Sequence, residues 1–191
     1  MRSPPTRKLV LLIVLSALCV GIQLTPRPPN IEFTSLVVFL VGAVFGISFG
    51  ATLGILVMLI NGFFSPWGFA GFLLPFQILG VILFGVGGSL YNRSKNGFFN
   101  TQSSVETAIL GAFLTLLYDV ITNIGVALTY LFVGTPIFPA FVSVFISGAL
   151  FSLIHIISNA ILFGLVFYPT IRILQNFLGG DESWKKELTF T

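Results

Sequence analysis

The sequence predicts an all-α, polytopic membrane protein with six transmembrane helices and both termini in the cytoplasm. Hydrophobic residues make up 55% of the 191 residues and charged residues only 8%, too few for the surface of a soluble protein. Several apolar runs exceed the ~18 to 20 residues that are needed to cross a hydrocarbon core about 30 Å thick. The basic residues stand mostly near the ends of these runs, where the positive-inside rule can orient the chain.

The first predicted helix covers about residues 8–24 and follows a short basic segment. A cleaved signal peptide is the alternative interpretation of this segment. Ala17 and Cys19 do not give the small-residue pattern of a signal-peptidase site, and Leu18 departs from a lipoprotein-type site. We therefore expect a helix that stays in the mature protein.

The next apolar run, residues 34–61, decides the topology. As one helix, its 28 residues would reach ~42 Å and would leave basic residues on both sides of the membrane. A turn near Ser48 to Gly50 divides the run into helices of about 34–48 and 50–63. Eight of the nine Lys and Arg residues then face the cytoplasm, and only Arg27 lies outside. We therefore predict the turn.

The glycines in this run recur every four residues, at Gly42, Gly46, Gly50 and Gly54. We interpret them as a helix-packing surface, because small residues let helices approach closely where lipid gives no hydrophobic drive. The two helices, ~21 to 22 Å long, would be shorter than the hydrocarbon core, so protein has to cover their ends.

Three further helices are predicted at about 71–92, 105–133 and 139–169, followed by a cytoplasmic tail at 170–191. The whole chain then forms a single membrane domain. The outer connections are rich in Pro, Gly and aromatic residues and carry few charges. Trp67, in one of them, is a candidate for stacking on a planar ligand, or else part of the interfacial aromatic belt.

Polar residues follow one face of each of the last two predicted helices. The fifth helix carries Asp119, Asn123, Ala127 and Tyr130 at helical spacing, and the sixth carries Gly148, Ser152, His155 and Asn159. Because these helices run in opposite directions and both stripes pass mid-membrane depth, the two stripes can face each other.

Asp119 is the residue that most needs an explanation. A charge at the bilayer centre costs about 2.5–3.5 kcal/mol on insertion scales, so Asp119 has to face the bundle interior and find donors, with His155, Asn159 and Asn123 as candidates. In one interpretation these groups only clamp two helices together. In the other they form the floor of a pocket open to the outside, with Gln77 on its upper wall.

Several classes of function are excluded or disfavoured. No nucleophile motif or zinc-protease motif accompanies Asp119 and His155, so we do not expect an enzyme. One Cys and one His cannot build a protein metal site, and no cofactor is indicated. The scattered basic residues make no continuous face for nucleic acid.

Four segments together resemble the substrate-binding S component of energy-coupling factor (ECF) transporters. They are the Pro-Asn-Ile-Glu loop at residues 29–32, the glycine-rich second and third helices, SPWGFAG at 65–71 and YDVITN at 118–123. The resemblance covers nearly the whole chain. It implies a protein that captures a vitamin or related micronutrient from outside, using the first loop and the outer halves of helices four to six.

The resemblance also implies partners. A transmembrane T subunit and two cytoplasmic ATPase subunits would supply the energy, and the chain itself has no G-x-x-x-x-G-K-[ST] sequence. The family docks through small residues spaced four apart on the first helix, a spacing that Ala17 and Gly21 fill, with Gly in place of the usual second Ala. The candidate substrate-binding residues are Asn30, Glu32, Trp67, Gln77, Asp119, Asn123, Tyr130, His155 and Asn159.

Two other functions remain open at this point: a stand-alone, proton-coupled small-molecule carrier, for which an isolated carboxylate beside a histidine is typical, and a purely structural membrane subunit. The expected pocket offers one acid, several amides and many aromatic rings. It suits a mostly neutral ligand with planar or apolar parts, so a flavin, a cobalamin, a pterin or a thiamine-like cation would each be tolerated.

Overall fold

The computed structural model describes residues 5–25, 28, 30–65 and 68–179, and all regular secondary structure in these ranges is helical. The helices are α1 (Pro5–Leu24), α2 (Thr34–Phe45), α3 (Ile47–Phe64), α4 (Leu74–Lys95), α5 (Gln102–Leu131) and α6 (Ile137–Gly179), with a short 3₁₀ turn at Gly71–Leu73 directly before α4. Four of them, α3 to α6, are long and apolar enough to cross a membrane, and α1 and α2 contribute shorter apolar helices. This is consistent with an α-helical membrane protein.

The long apolar run folds back on itself, but at Gly46 and not at the predicted Ser48 to Gly50. Gly46 has φ 90° and ψ 173°, a region of backbone conformation that is essentially restricted to glycine. A Cβ built on Gly50 would lie 2.8 Å from Cα of Gly42, so residues four before and four after Gly46 lie side by side. The two helices therefore run antiparallel from this point.

Glycines join this hairpin to α4. A Cβ on Gly42 would lie 2.1 Å from the carbonyl oxygen of Gly85, and a Cβ on Gly85 would lie 2.7 Å from the backbone of Gly50. No side chain fits at these three positions. The backbones of α2, α3 and α4 therefore meet directly, which is how small residues promote helix association in lipid.

The break at Gly46 makes the two hairpin helices unequal. Helix α2 has 12 residues and spans ~18 Å, whereas α3 has 18 residues and spans ~27 Å. Only α2 is therefore much shorter than the hydrocarbon core. Ten of its 12 residues are buried, so α2 is shielded by the other helices, which corrects the expectation of two equally short helices.

The half of the bundle near the α4–α5 connection is filled by aromatic side chains. The ring of Phe39 packs edge-to-face on Phe163 and Phe167, with centroid distances of 5.2 and 5.5 Å. Nearby, Glu106 on α5 accepts hydrogen bonds from the Tyr91 hydroxyl and the Lys95 ammonium, both on α4. This half is closed and well packed.

Candidate functional site

A cavity of about 610 Å³ lies at the other end of the bundle. It is surrounded by the end of α1, the start of α2, the end of α3, the 3₁₀ turn and the start of α4, together with the middle parts of α5 and α6. The polar residues that line it are Gln23, Asn30, Glu32, Ser35, Asn61, Ser65, Gln77, Tyr118, Asp119, Thr122, Asn123, Ser152 and His155. The cavity thus reaches from the loops at this end down to the middle of the two longest helices.

The polar stripes of α5 and α6 face each other along the most extensive helix contact of the described chain. Asp119 Oδ1 lies 2.8 Å from Nδ1 of His155. One turn deeper, the Asn159 amide donates a hydrogen bond of 2.9 Å to the Thr115 hydroxyl. The antiparallel arrangement predicted from helical spacing is therefore present, with Asp119 and His155 at the floor of the cavity.

His155 stands between two carboxylates. Its Nδ1 contacts Asp119, and its Nε2 lies 3.8 Å from Oε1 of Glu32. The second distance is too long for a hydrogen bond, so this contact is electrostatic. Glu32 in turn accepts hydrogen bonds from the backbone N–H of Ser35, at 3.2 Å, and from the Ser35 hydroxyl. The cavity is therefore lined by two acids, Glu32 and Asp119.

The loop between α1 and α2 is fixed against α6. The Asn30 side-chain amide donates a hydrogen bond of 2.8 Å to the carbonyl oxygen of Phe151, and the Ser158 hydroxyl donates one of 3.1 Å to the Asn30 carbonyl. Asn30 has φ 60°, a left-handed conformation that asparagine tolerates better than most residues. This anchoring places Glu32 over the floor.

The electrostatic environment of Glu32 favours its ionised form. Burial acts to raise the pKa of the Glu32 carboxyl, but His155 and then Ser35 outweigh it and hold the pKa below its ordinary value. The Glu32 side chain is only 13% exposed. His155 and Ser35 therefore keep the Glu32 carboxylate charged at the cavity wall.

Several polar atoms on the cavity residues have no hydrogen-bond partner within the described chain. These atoms are Asp119 Oδ2, Gln77 Oε1 and His155 Nε2. Asp119 is only 7% exposed and His155 only 5% exposed. A buried polar atom without a partner is costly, so each of these atoms calls for a further partner, which an ordered water or a bound molecule can supply.

Six of the nine candidate residues line the cavity: Asn30, Glu32, Gln77, Asp119, Asn123 and His155. Trp67 lies outside the described residues. Asn159 is fully buried below the floor, where it bonds to Thr115 and does not reach the cavity. Its side chain therefore supports the floor from beneath.

Tyr130 lies away from the cavity, contrary to the expected polar track. It is 47% exposed and lines a shallower groove beside the 3₁₀ turn, while Ala127 is fully buried. The cavity face of α5 instead continues from Asp119 through Thr122 to Val126. These positions follow the i, i+3 and i+7 spacing of one helix face. Tyr130 keeps to that spacing but lies ~16 Å beyond Asp119 along the helix axis, where it lines the groove beside the 3₁₀ turn.

Several residues that line the cavity were not predicted from the sequence, and three of them make contacts that shape it. Tyr118 packs edge-to-face on the His155 ring at 5.7 Å, and its only sequence signal was its place beside Asp119. Ser35 binds Glu32, and Gln23 donates a hydrogen bond of 2.7 Å to Thr34. In the sequence, these two residues stand out only as polar side chains at the ends of apolar runs.

The candidate docking residues lie on the outer face of α1. Ala17 and Gly21 are both exposed, and a Cβ added to Gly21 would meet no atom of the described residues within 4 Å. This face of α1 has room for a neighbouring helix.

No protein-family description, curated protein or solved structure matches this chain.

Proposed function

We propose that this chain is the substrate-capture subunit of an ECF-type importer and binds a vitamin or related micronutrient from outside the cell. The observation that carries this proposal is the cavity of about 610 Å³, whose floor has buried polar atoms without a partner among the described residues. Small-molecule sites typically have volumes of about 300–1,000 Å³ with a few converging polar groups. A subunit with only a structural role has no need of such a chamber.

The charge distribution supports an outward-facing cavity. Arg93 and Lys95 lie at the end of α4, and Arg172 lies in the last part of α6, all far along their helices from the cavity. The positive-inside rule places this basic end in the cytoplasm. The proposed topology has six crossings in the cell membrane with both termini cytoplasmic, so that the cavity opens to the exterior.

Energy for uptake is proposed to come from partners: a transmembrane T subunit and two cytoplasmic ATPase subunits. The chain contains no P-loop sequence of its own. The exposed face with Ala17 and Gly21 is the proposed surface for the T subunit, since small residues allow close helix contact in lipid.

Mass spectrometry of small molecules that co-purify with the full chain in mild detergent tests the capture function. From cells grown in rich medium, we expect one small organic molecule at near-stoichiometric amount. Absence of any such molecule, together with no thermal shift across a vitamin panel, would favour the structural subunit.

A stand-alone proton-coupled carrier is the second candidate, because Glu32, His155 and Asp119 form a continuous row of ionisable groups. Proteoliposomes that contain only this chain separate the two functions. The capture subunit binds substrate but moves none until the ATPase partners are added. The carrier moves substrate downhill alone, with a pH dependence that is lost in Asp119→Asn.

A further inference from the structure

We infer that the molecule captured in this cavity is a cation that carries N–H donors on a planar group. This inference rests on the proposed capture function. It replaces the mostly neutral ligand expected from the sequence with a positively charged one. It follows from the charge, the hydrogen-bonding capacity and the aromatic lining of the cavity.

The charge of the lining is negative in either protonation state of the histidine. Glu32 and Asp119 contribute two carboxylates, and His155 contributes at most one positive charge. No lysine or arginine is among the lining residues in the part of the chain that the structure describes, and Arg27 lies outside that part. A buried site with excess negative charge is stabilised by a positive ligand and penalises an anion.

Two buried hydrogen-bond acceptors on the cavity residues have no partner within the described chain. Asp119 uses Oδ1 for His155, and its Oδ2 meets no partner in the described ranges although the residue is more than nine-tenths buried. Gln77 Oε1 is also unpartnered on the cavity wall. An ionised carboxylate only accepts hydrogen bonds, so the ligand atom that completes Asp119 has to be a donor. A charged N–H donor makes the stronger bond.

Aromatic side chains border the same space. Phe69, Tyr118 and Phe151 line the cavity, and the Tyr118 ring meets the His155 ring edge-to-face. Aromatic faces attract cations and also accept planar rings. A delocalised cation such as an amidinium or an amino-substituted heteroaromatic ring satisfies the carboxylate and the rings together.

A matched series of probes tests the charge directly: benzamidine, benzamide and benzoate, which share shape and differ in charge. Their binding to the purified full-length protein in detergent is measured near neutral pH by calorimetry and by displacement of any co-purified molecule. We expect benzamidine to bind at least about tenfold more tightly than the other two, equivalent to roughly 1.4 kcal/mol. Asp119→Asn should lower benzamidine affinity at least about tenfold and leave benzamide affinity unchanged.

The matched control is Glu106→Gln, which also removes one carboxylate but lies in the half of the bundle away from the cavity. It should leave the order of the three affinities unchanged. If Asp119→Asn fails to fold by size-exclusion chromatography and circular dichroism, Glu32→Gln replaces it, with the same expected loss for benzamidine. Tighter binding of benzamide or benzoate would overturn the charge inference and leave the capture function standing. Absence of binding by all three probes and of any co-purified molecule would overturn both.

Discussion

At the scale of single residues, the central feature is a histidine held between two carboxylates on three different segments. His155 on α6 contacts Asp119 on α5 and Glu32 in the α1–α2 loop. This arrangement serves both interpretations of the sequence. It clamps two helices together, and it leaves Asp119 Oδ2 at the cavity floor without a partner from the residues that the structure describes.

His155→Ala should destabilise the protein by about 3–5 kcal/mol, because it leaves the buried Asp119 carboxylate without its nearby donor. Unfolding by titration with a denaturing detergent measures the loss. The double variant Asp119→Asn, His155→Ala should be less destabilised than the sum of the single variants, because no uncompensated charge remains. Strict additivity would show that the two side chains do not stabilise each other.

Glu32 should make the stability of the protein depend on pH. Its pKa in the folded protein is below the ordinary value, so the ionised form stabilises the fold above the unfolded-state pKa, and this contribution is lost as the pH falls. The difference in melting temperature between wild type and Glu32→Gln should be full above about pH 5.5 and shrink below about pH 4.3. A difference that stays constant over this range would contradict the expected role of the Glu32 charge.

Asn159→Ala should lower the stability of the protein without lowering its affinity for the captured molecule. It removes the buried hydrogen bond to Thr115 and should cost about 1–3 kcal/mol of stability. Because Asn159 does not line the cavity, affinity for the co-purified molecule should change less than about threefold, below 1 kcal/mol. A binding loss as large as that of Asp119→Asn would instead place Asn159 in contact with ligand.

The sequence predicted the pairing of Asp119 with His155 because both lie on polar stripes with regular helical spacing. It could not predict how far each stripe follows the cavity. Spacing assigns a residue to a helix face but does not say where along that face the cavity begins and ends, so Tyr130 lies beyond the cavity and Asn159 lies beneath its floor. The closeness of Glu32 to His155 depends on the path of a loop, which periodicity does not describe.

At the scale of elements, the hairpin of α2 and α3 against α4 organises the bundle. The sequence predicted that the long apolar run turns back, but four equally spaced glycines gave no local reason to choose one of them. The position of the turn is set by contacts with α4, which lies much further along the chain. With the turn at Gly46, both Gly42 and Gly50 reach the backbone of α4 at Gly85.

Gly42→Ala should therefore disrupt the packing of this hairpin. The added Cβ would lie 2.1 Å from the Gly85 carbonyl oxygen, a rigid backbone atom that cannot move aside cheaply. We expect a loss of at least about 1–3 kcal/mol, the usual cost of overpacking. The control is Gly21→Ala, whose added Cβ meets no atom within 4 Å in the described part of the chain and should not lower the unfolding midpoint. Equal midpoints for the two variants would contradict the close contact of the helix backbones.

At the scale of the whole molecule, the two ends of the bundle differ in character. One end holds an open, polar cavity with two carboxylates, and the other is filled by aromatic rings and joined by the contact of Lys95 with Glu106. Composition and apolar runs predicted the helical membrane class. They could not predict the cavity, because its volume depends on how helices of unequal length end around it.

The direction in which the cavity opens is the central claim, and single-cysteine labelling in intact cells measures it most directly. Cys19 is buried and is replaced first by alanine. Ser152→Cys then places a thiol at the cavity wall, and Ser94→Cys places one at the basic end of α4. With a membrane-impermeant maleimide, we predict labelling at position 152 from outside, protection there by the co-purified molecule, and labelling at position 94 only in inverted vesicles. Labelling at position 152 only in inverted vesicles would contradict capture from the exterior.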